Sequence, residues 1–291
     1  MQALLDVILP VFLVIGLGYG AVRLGTLSND AVDGIMTFAQ SFAIPILLFR
    51  AISRIDLGAD LSIPLFASFY IGAFAGFGLA FLAAMYVFSR PLEHCIAIGF
   101  CSMFSNSVML GLAITERAYG ADALRSNYAI ISFHAPLLYA FGIMFMETSR
   151  SRGKGIGWRL IWQIVKSILS NAIVVGILLG FVVNVTGLIL PATLSAGVDM
   201  MAQAALPAAL FGLGGVLVRY RPEGDMKAIA MVAVVSLVVH PAITYGLGKW
   251  VFALDQAQFR SAVLTAAMAP GVNTYLFANM YGAARRVAAS A

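Results

Sequence analysis

Two short stretches of polar residues interrupt otherwise apolar sequence, and they are the places where a small ligand could be held. One is Ser105-Asn106-Ser107. The other is Pro270-Gly271-Val272-Asn273-Thr274. Serine and asparagine side chains compete with a helix for its backbone hydrogen bonds. Pro270 has no N–H and clashes with the preceding turn, and Gly271 frees the backbone further. Each stretch therefore predicts a helix that stops and restarts. A restarted helix offers free N–H groups and a partial positive charge at its N-terminus, which favour an anion such as a carboxylate. Asn273 and Thr274 could donate to that ligand or cap the restart. The alternative is an ordinary kink with the polar side chains bonded across helices. Finding the same feature in two runs favours a binding site.

Other residues are placed to assist. Gln40 and Pro45, and Gln203 and Pro207, form two similar Gln-to-Pro pairs that predict helix breaks or a site lining, with a packing kink as the alternative. Asp199 lies in an apolar run, where an ionisable residue is a functional candidate. It could take a proton or cation, or sit at the headgroup level. His134 precedes Pro136 and His240 precedes Pro241. Either could couple to protons near neutral pH, or be a hydrogen-bonded structural histidine. Glu116 and Arg117 fit a solvated interface. Gly16-x-Gly18-x-Gly20 lies in an apolar helix with no strand before it, so it suits close helix packing and not a nucleotide loop. Cys95 and Cys101, six apart, read as packing residues, and too few ligands cluster for a metal.

The elements that must position these residues are membrane helices. The chain has 291 residues, of which 61% are hydrophobic and 11% charged. A soluble domain is about 25% charged and could not cover its surface with so few. Nine apolar runs are long enough to cross a bilayer: 3–22, 34–52, 63–88, 95–115, 129–146, 168–189, 194–218, 228–252 and 262–281. The first has no early Lys or Arg and no clean cleavage site, so it reads as a span and not a signal peptide. The net charge of +5 suits anionic lipid and not nucleic acid, because the basic residues fall between apolar runs. With the N-terminus outside, twelve Lys and Arg fall on the cytoplasmic side and six on the other. The polar stretch 147–159, with Arg150, Arg152, Lys154 and Arg159, carries much of that bias, and Arg219 and Arg221 add to it.

Sliding the chain by 162 residues brings Gly18 onto Gly180, Gly25 onto Gly187, Tyr119-Gly120 onto Tyr281-Gly282, and Ala43-Ile44-Pro45 onto Ala205-Leu206-Pro207. The unit holds an odd number of spans, so a second copy inserts upside down, as in many secondary transporters. The expected fold is an all-α integral membrane protein with two inverted repeats of five helices, 1–150 and 151–291. The polar stretches then break spans four and nine. The same offset puts the counterpart of the fifth span at about 291–308, so the tenth helix is expected to be missing from this chain, with 282–291 as a short cytoplasmic loop.

Together the matched breaks, the run Met268-Ala269-Pro270-Gly271-Val272-Asn273-Thr274-Tyr275-Leu276-Phe277-Ala278, and Leu9-Pro10-Val11-Phe12 followed by Gly16-x-Gly18-Tyr19 resemble the auxin efflux carrier family. That family includes bacterial malonate and malate transporter-like proteins and is related to the plant PIN carriers. The resemblance implies ten spans, crossed broken helices and small organic anions as cargo. It carries the crossing onto Ser105, Asn106 and Ser107 and onto Pro270, Gly271, Val272 and Asn273. A secondary transporter of a carboxylate in a bacterial inner membrane is expected. It would be driven by protons, sodium or the membrane potential, with no cofactor, and a homodimer is allowed. A sodium-coupled carrier of the bile-acid type, and a channel or sensor on a transporter fold, stay open. An intramembrane enzyme is disfavoured, because no His-Glu-x-x-His, membrane aspartate pair or Gly-x-Ser-x-Gly is present.

Overall fold

The computed structural model describes residues 2–150, 158–219 and 225–290. Arg152, Lys154 and Arg221 lie outside the described residues, as does the side chain of Arg159. All regular elements among the described residues are helical. In chain order they are α1 (Gln2–Arg23), α2 (Asn29–Phe38), α3 (Ile44–Ser53), α4 (Ile63–Tyr86), α5 (Leu92–Met103), α6 (Leu112–Tyr119), α7 (Arg125–Arg150) and α8 (Trp158–Leu169). These are followed by α9 (Ala172–Thr186), α10 (Ala192–Leu217), α11 (Met226–Val234), α12 (His240–Gly246), α13 (Gln256–Ala266), α14 (Val272–Tyr281) and α15 (Arg285–Ser290). The expected loop at 282–291 thus contains a short helix.

Six continuous segments are long and apolar enough to cross a bilayer: Leu5–Arg23, Asn29–Ser53, Ile63–Tyr86, Ala121–Arg150, Ala192–Leu217 and Met226–Val251. With lipid-compatible surface on this scale, the chain is a multi-pass membrane protein. The nine expected spans do not all form single rods. The fourth is divided into α5 and α6 and the ninth into α13 and α14, each too short alone, because polar residues and Pro270-Gly271 intervene. The sixth is shared by α8 and α9 and qualifies only when both are counted. Asn171 separates them, its side chain accepting the Ile173 N–H at 3.0 Å to cap α9.

The prolines act differently from the expectation. Pro207 sits inside an unbroken α10. Pro45 opens α3 behind a π turn at Ala39–Ala43, where the Ile44 N–H reaches back to the Ala39 carbonyl. Pro241 follows a second π turn, Val235–Val239, with the His240 N–H on the Val235 carbonyl. A proline cannot donate to the preceding turn, and a widened turn re-pairs neighbouring backbone groups that lipid would leave unsatisfied.

The chain forms two compact units. The first comprises 1–60, 108–132 and 169–221, and the second comprises 61–107, 133–168 and 222–291. Each takes segments from both halves of the sequence. In the first unit, α1 packs along α10 at backbone contact. A Cβ on Gly18 would lie 1.9 Å from the Phe211 carbonyl oxygen, and one on Gly214 would lie 1.9 Å from that of Ile15. Gly16 and Gly20 face open space, so only the middle glycine of that run is a packing residue. The α3–α9 contact is similar, with Gly176 against the Pro45 carbonyl. The Asn184 amide of α9 donates to the Ile52 and Ile55 carbonyls at 2.9 and 2.7 Å. Val11, Ile15, Ala113 and Leu210 form a buried apolar cluster, while Phe12, Leu13 and Leu17 of α1 are exposed.

The second unit is built on aromatic packing. Phe100 of α5 stacks on Phe277 of α14 at 3.9 Å between ring centres, and Phe77 of α4 meets Phe141 of α7 edge-on at 4.9 Å. Arg150, closing α7, binds Glu93 and the Tyr281 carbonyl, both at 2.7 Å. Cys95 and Cys101 are buried and unpaired, as their expected packing role requires. Both units contain left-handed glycines. Gly25 and Gly187 have φ of 75° and 64°, and Gly120 and Gly282 have 84° and 71°. These are the glycines that the 162-residue offset superposes.

Candidate functional site

Within the second unit the two polar interruptions lie against each other. The helix of α5 ends at Met103, and Phe104 is extended, with φ −100° and ψ 86°. Ser105 and Pro270 form an isolated antiparallel bridge. Its hydrogen bonds run from the Asn106 N–H to the Ala269 carbonyl at 2.8 Å and from the Gly271 N–H to the Phe104 carbonyl at 3.0 Å. Two extended tripeptides thus satisfy each other's backbone inside apolar surroundings, where unpaired groups would be costly. The α-carbon of Gly271 faces Asn106 and Ser105, and a Cβ there would lie 3.4 Å from the Asn106 Cα, an ordinary contact.

Helix resumes on both sides of the bridge. Ser107–Gly111 is a π segment that leads into α6, and α14 restarts at Val272 with Gly271 as its N-cap. No side chain caps α14. The Thr274 hydroxyl is buried and donates to the Gly271 carbonyl at 2.7 Å, within the restart itself. Asn273 is partly exposed. Its Oδ1 and main-chain carbonyl both lie 3.3 Å from the Tyr139 hydroxyl, which donates to them. That leaves the Asn273 amide nitrogen for other partners. Asn106 and Val272 are also half-buried, whereas Ser105 and Ser107 are buried.

Among the described residues, the Ser105 hydroxyl and both ring nitrogens of His134 are buried without a hydrogen bond of ordinary geometry. The His134 ring stands edge-on to Phe104, 4.6 Å between centres, so it flanks the bridge directly. Phe69 separates His134 from His240, at 5.6 and 5.0 Å respectively. His240 Nε2 lies 3.3 Å from the Phe69 carbonyl, which makes it a hydrogen-bonded core residue. Of the two histidines read as candidates, His134 is the one beside the interruptions, with the Ser105 main chain within reach of its ring.

The remaining candidates belong to the first unit. Asp199 forms ion pairs with Arg50 at 3.3 Å and Arg54 at 3.4 Å. Both contacts are to one carboxylate oxygen, so Asp199 is engaged by two guanidinium groups at the end of α3. Gln203 and Pro207 line a cavity between helix ends, and Gln40 and Pro45 are not among its walls. Sequence reasoning missed Tyr139 as the partner of Asn273, because the two are far apart in the chain. It gave Arg50, Arg54 and Arg125 no role beyond the count of six basic residues on the outer side, and read Arg117 as a solvated interface residue. Arg50 and Arg54, one turn apart at the end of an apolar run, were the available signal.

Comparison with known proteins gives two findings. The family described as "Membrane transport protein" matches residues 3–291. A protein of Rhizobium meliloti (strain 1021) described as "Putative malonate transporter" is 25% identical over 285 residues, covering 97% of this chain and 88% of that protein.

Proposed function

Since the chain belongs to the membrane transport protein family, which is that of the auxin efflux carriers, and is a transporter and not an enzyme, we propose that it is a secondary carrier of small organic carboxylates. The observation that carries this reading is the Ser105–Pro270 bridge, with a helix restarting on each side of it. Two N-termini leaving one point supply free N–H groups and two partial positive charges. Asn106 and Asn273 stand at those restarts, and Ser105, Ser107, Pro270, Gly271 and Val272 shape the backbone around them. A carboxylate fits donors of this kind. The malonate named for the relative is a dicarboxylate of matching chemistry.

The same reading makes the interruptions the crossed, broken helices of an inverted five-plus-five repeat. Two pairs of left-handed glycines at the 162-residue offset support it. Of the candidate coupling residues, His134 stands beside the interruptions, whereas Asp199 is paired with two arginines. The excess of Lys and Arg in alternate loops supports an N-terminus outside, in a bacterial inner membrane.

The test is uptake into proteoliposomes holding the purified chain, with labelled malonate and an imposed pH gradient. Accumulation above the equilibrium level, abolished by collapsing the gradient, is expected. Equilibration that never exceeds the outside concentration would assign a channel. No flux of malonate or other short carboxylates above protein-free vesicles would remove the carrier reading.

A further inference from the structure

The first unit contains a cavity of about 640 Å³ that no part of the bridge in the second unit contributes to. Small-ligand sites commonly occupy ~300–1,000 Å³. Its floor is apolar, formed by residues such as Val11, Val14, Leu47, Leu206 and Leu210. Its rim carries four arginines, Arg50, Arg54, Arg117 and Arg125, against two carboxylates, Glu116 and Asp122. The four come from three helix ends. Arg50 and the C-cap residue Arg54 close α3, Arg117 lies near the end of α6, and Arg125 opens α7.

The arginines are not equally engaged. Arg50 and Arg54 share Asp199, and Arg50 also binds the Tyr128 hydroxyl on the cavity wall. Arg117 donates to the Asp6 main-chain carbonyl, at 3.3 Å. Neither Arg117 nor Arg125 is in an ion pair among the described residues, although Glu116 and Asp122 line the same cavity. Positive charge is therefore left over at the mouth of an apolar hollow. Guanidinium groups bind carboxylates through paired N–H donors, and apolar walls accept a hydrocarbon body.

We propose that this cavity is a second binding site, for an organic carboxylate with an apolar body, separate from the helix interruptions. Arg117 and Arg125 hold the carboxylate, and the floor of Val11, Val14, Leu206 and Leu210 holds the rest. The placement of the mouth rests on the orientation proposed above: with the N-terminus outside, the rim faces the outer compartment, and the site concentrates anions there. Binding itself does not depend on that orientation.

The probe is labelled phenylacetate, measured by equilibrium binding to the purified full chain in a neutral detergent without added lipid. Wild type is expected to bind it, more weakly as salt rises because an exposed rim is screened. Phenylacetamide, equal in shape and uncharged, is expected not to compete. Arg117→Gln with Arg125→Gln should weaken binding by about tenfold or more, the usual scale for losing charged hydrogen bonds. Leu206→Trp, which fills the floor without touching charge, should also weaken it. Asn273→Ala should leave this component in place, which separates the proposal from the carrier reading, since binding is scored without transport. Unchanged phenylacetate binding in the arginine double variant and in Leu206→Trp would overturn it. So would protection by phosphatidylglycerol alone with no phenylacetate binding, which would give the rim to a lipid headgroup.

Discussion

At Asn273 the argument comes down to a few atoms. Its Oδ1 accepts from Tyr139, so its amide N–H₂ is oriented away from that hydroxyl. Tyr139→Phe removes the orienting donor but keeps the ring that packs on Phe100. A neutral hydrogen bond contributes roughly 0.5–1.5 kcal/mol. The variant should therefore slow malonate uptake by a few-fold while its elution from size exclusion is unchanged. At His134, His134→Gln should remove the dependence of uptake on a pH gradient, whereas Asp199→Asn should keep it, because Asp199 is tied to two arginines. A flux measurement at fixed membrane potential with varied pH gradient checks both. Much at this scale was legible from the sequence. Pro270 and Gly271 announce a break because one lacks an N–H and the other a Cβ. For Thr274 the sequence left a ligand donor and a cap both open, because a hydroxyl can serve its own turn as easily as a ligand. Tyr139 was invisible because its role exists only once α7 packs beside α14.

At the scale of helices, two contacts make measurable claims. Gly214 brings α10 to within backbone contact of α1, so Gly214→Val places methyl groups where the Ile15 carbonyl already lies. Overpacking of this kind costs about 1–3 kcal/mol, and a lower unfolding temperature in detergent is expected for it. Gly16→Ala and Gly20→Ala, facing open space, should leave that temperature nearly unchanged. Asp225 starts α11, accepting from the Lys227 and Ala228 N–H groups and pairing with Arg90 at 2.5 Å. Arg90, together with the Ala228 and then the Lys227 N–H, holds its carboxyl below the usual carboxylate range. A carboxyl with a lowered pKa stabilises the fold above its ordinary value and loses that contribution as pH falls through the lowered one. The protection factors of the Lys227 and Ala228 amides, corrected for the intrinsic pH dependence of exchange, should be high at neutral pH and fall only in acid below the usual carboxylate range. In Asp225→Asn the protection should be weak at every pH. The helices themselves were legible as apolar runs. The fate of the prolines was not: Pro207 and Pro45 look alike in sequence, yet one stays inside α10 and the other follows a π turn. Which outcome occurs depends on how the neighbouring helices re-pair the freed carbonyls.

For the whole molecule, an offset of 162 residues is visible among the glycines and prolines, but the grouping into compact units is not. Each unit draws on both halves of the chain, and no local pattern encodes which helices will share a core. The cavity of the first unit went unseen for the same reason, since its four arginines come from three separate segments. The central claim remains that the paired interruptions around Ser105 and Pro270 hold the transported anion. It is tested most directly by labelled malonate uptake into proteoliposomes carrying equal amounts of folded wild type, Asn106→Ala and Asn273→Ala. The account predicts gradient-driven accumulation by wild type and a loss of about tenfold or more in each variant, the scale of a hydrogen bond to a charged ligand. Accumulation by both variants at the wild-type rate would contradict it.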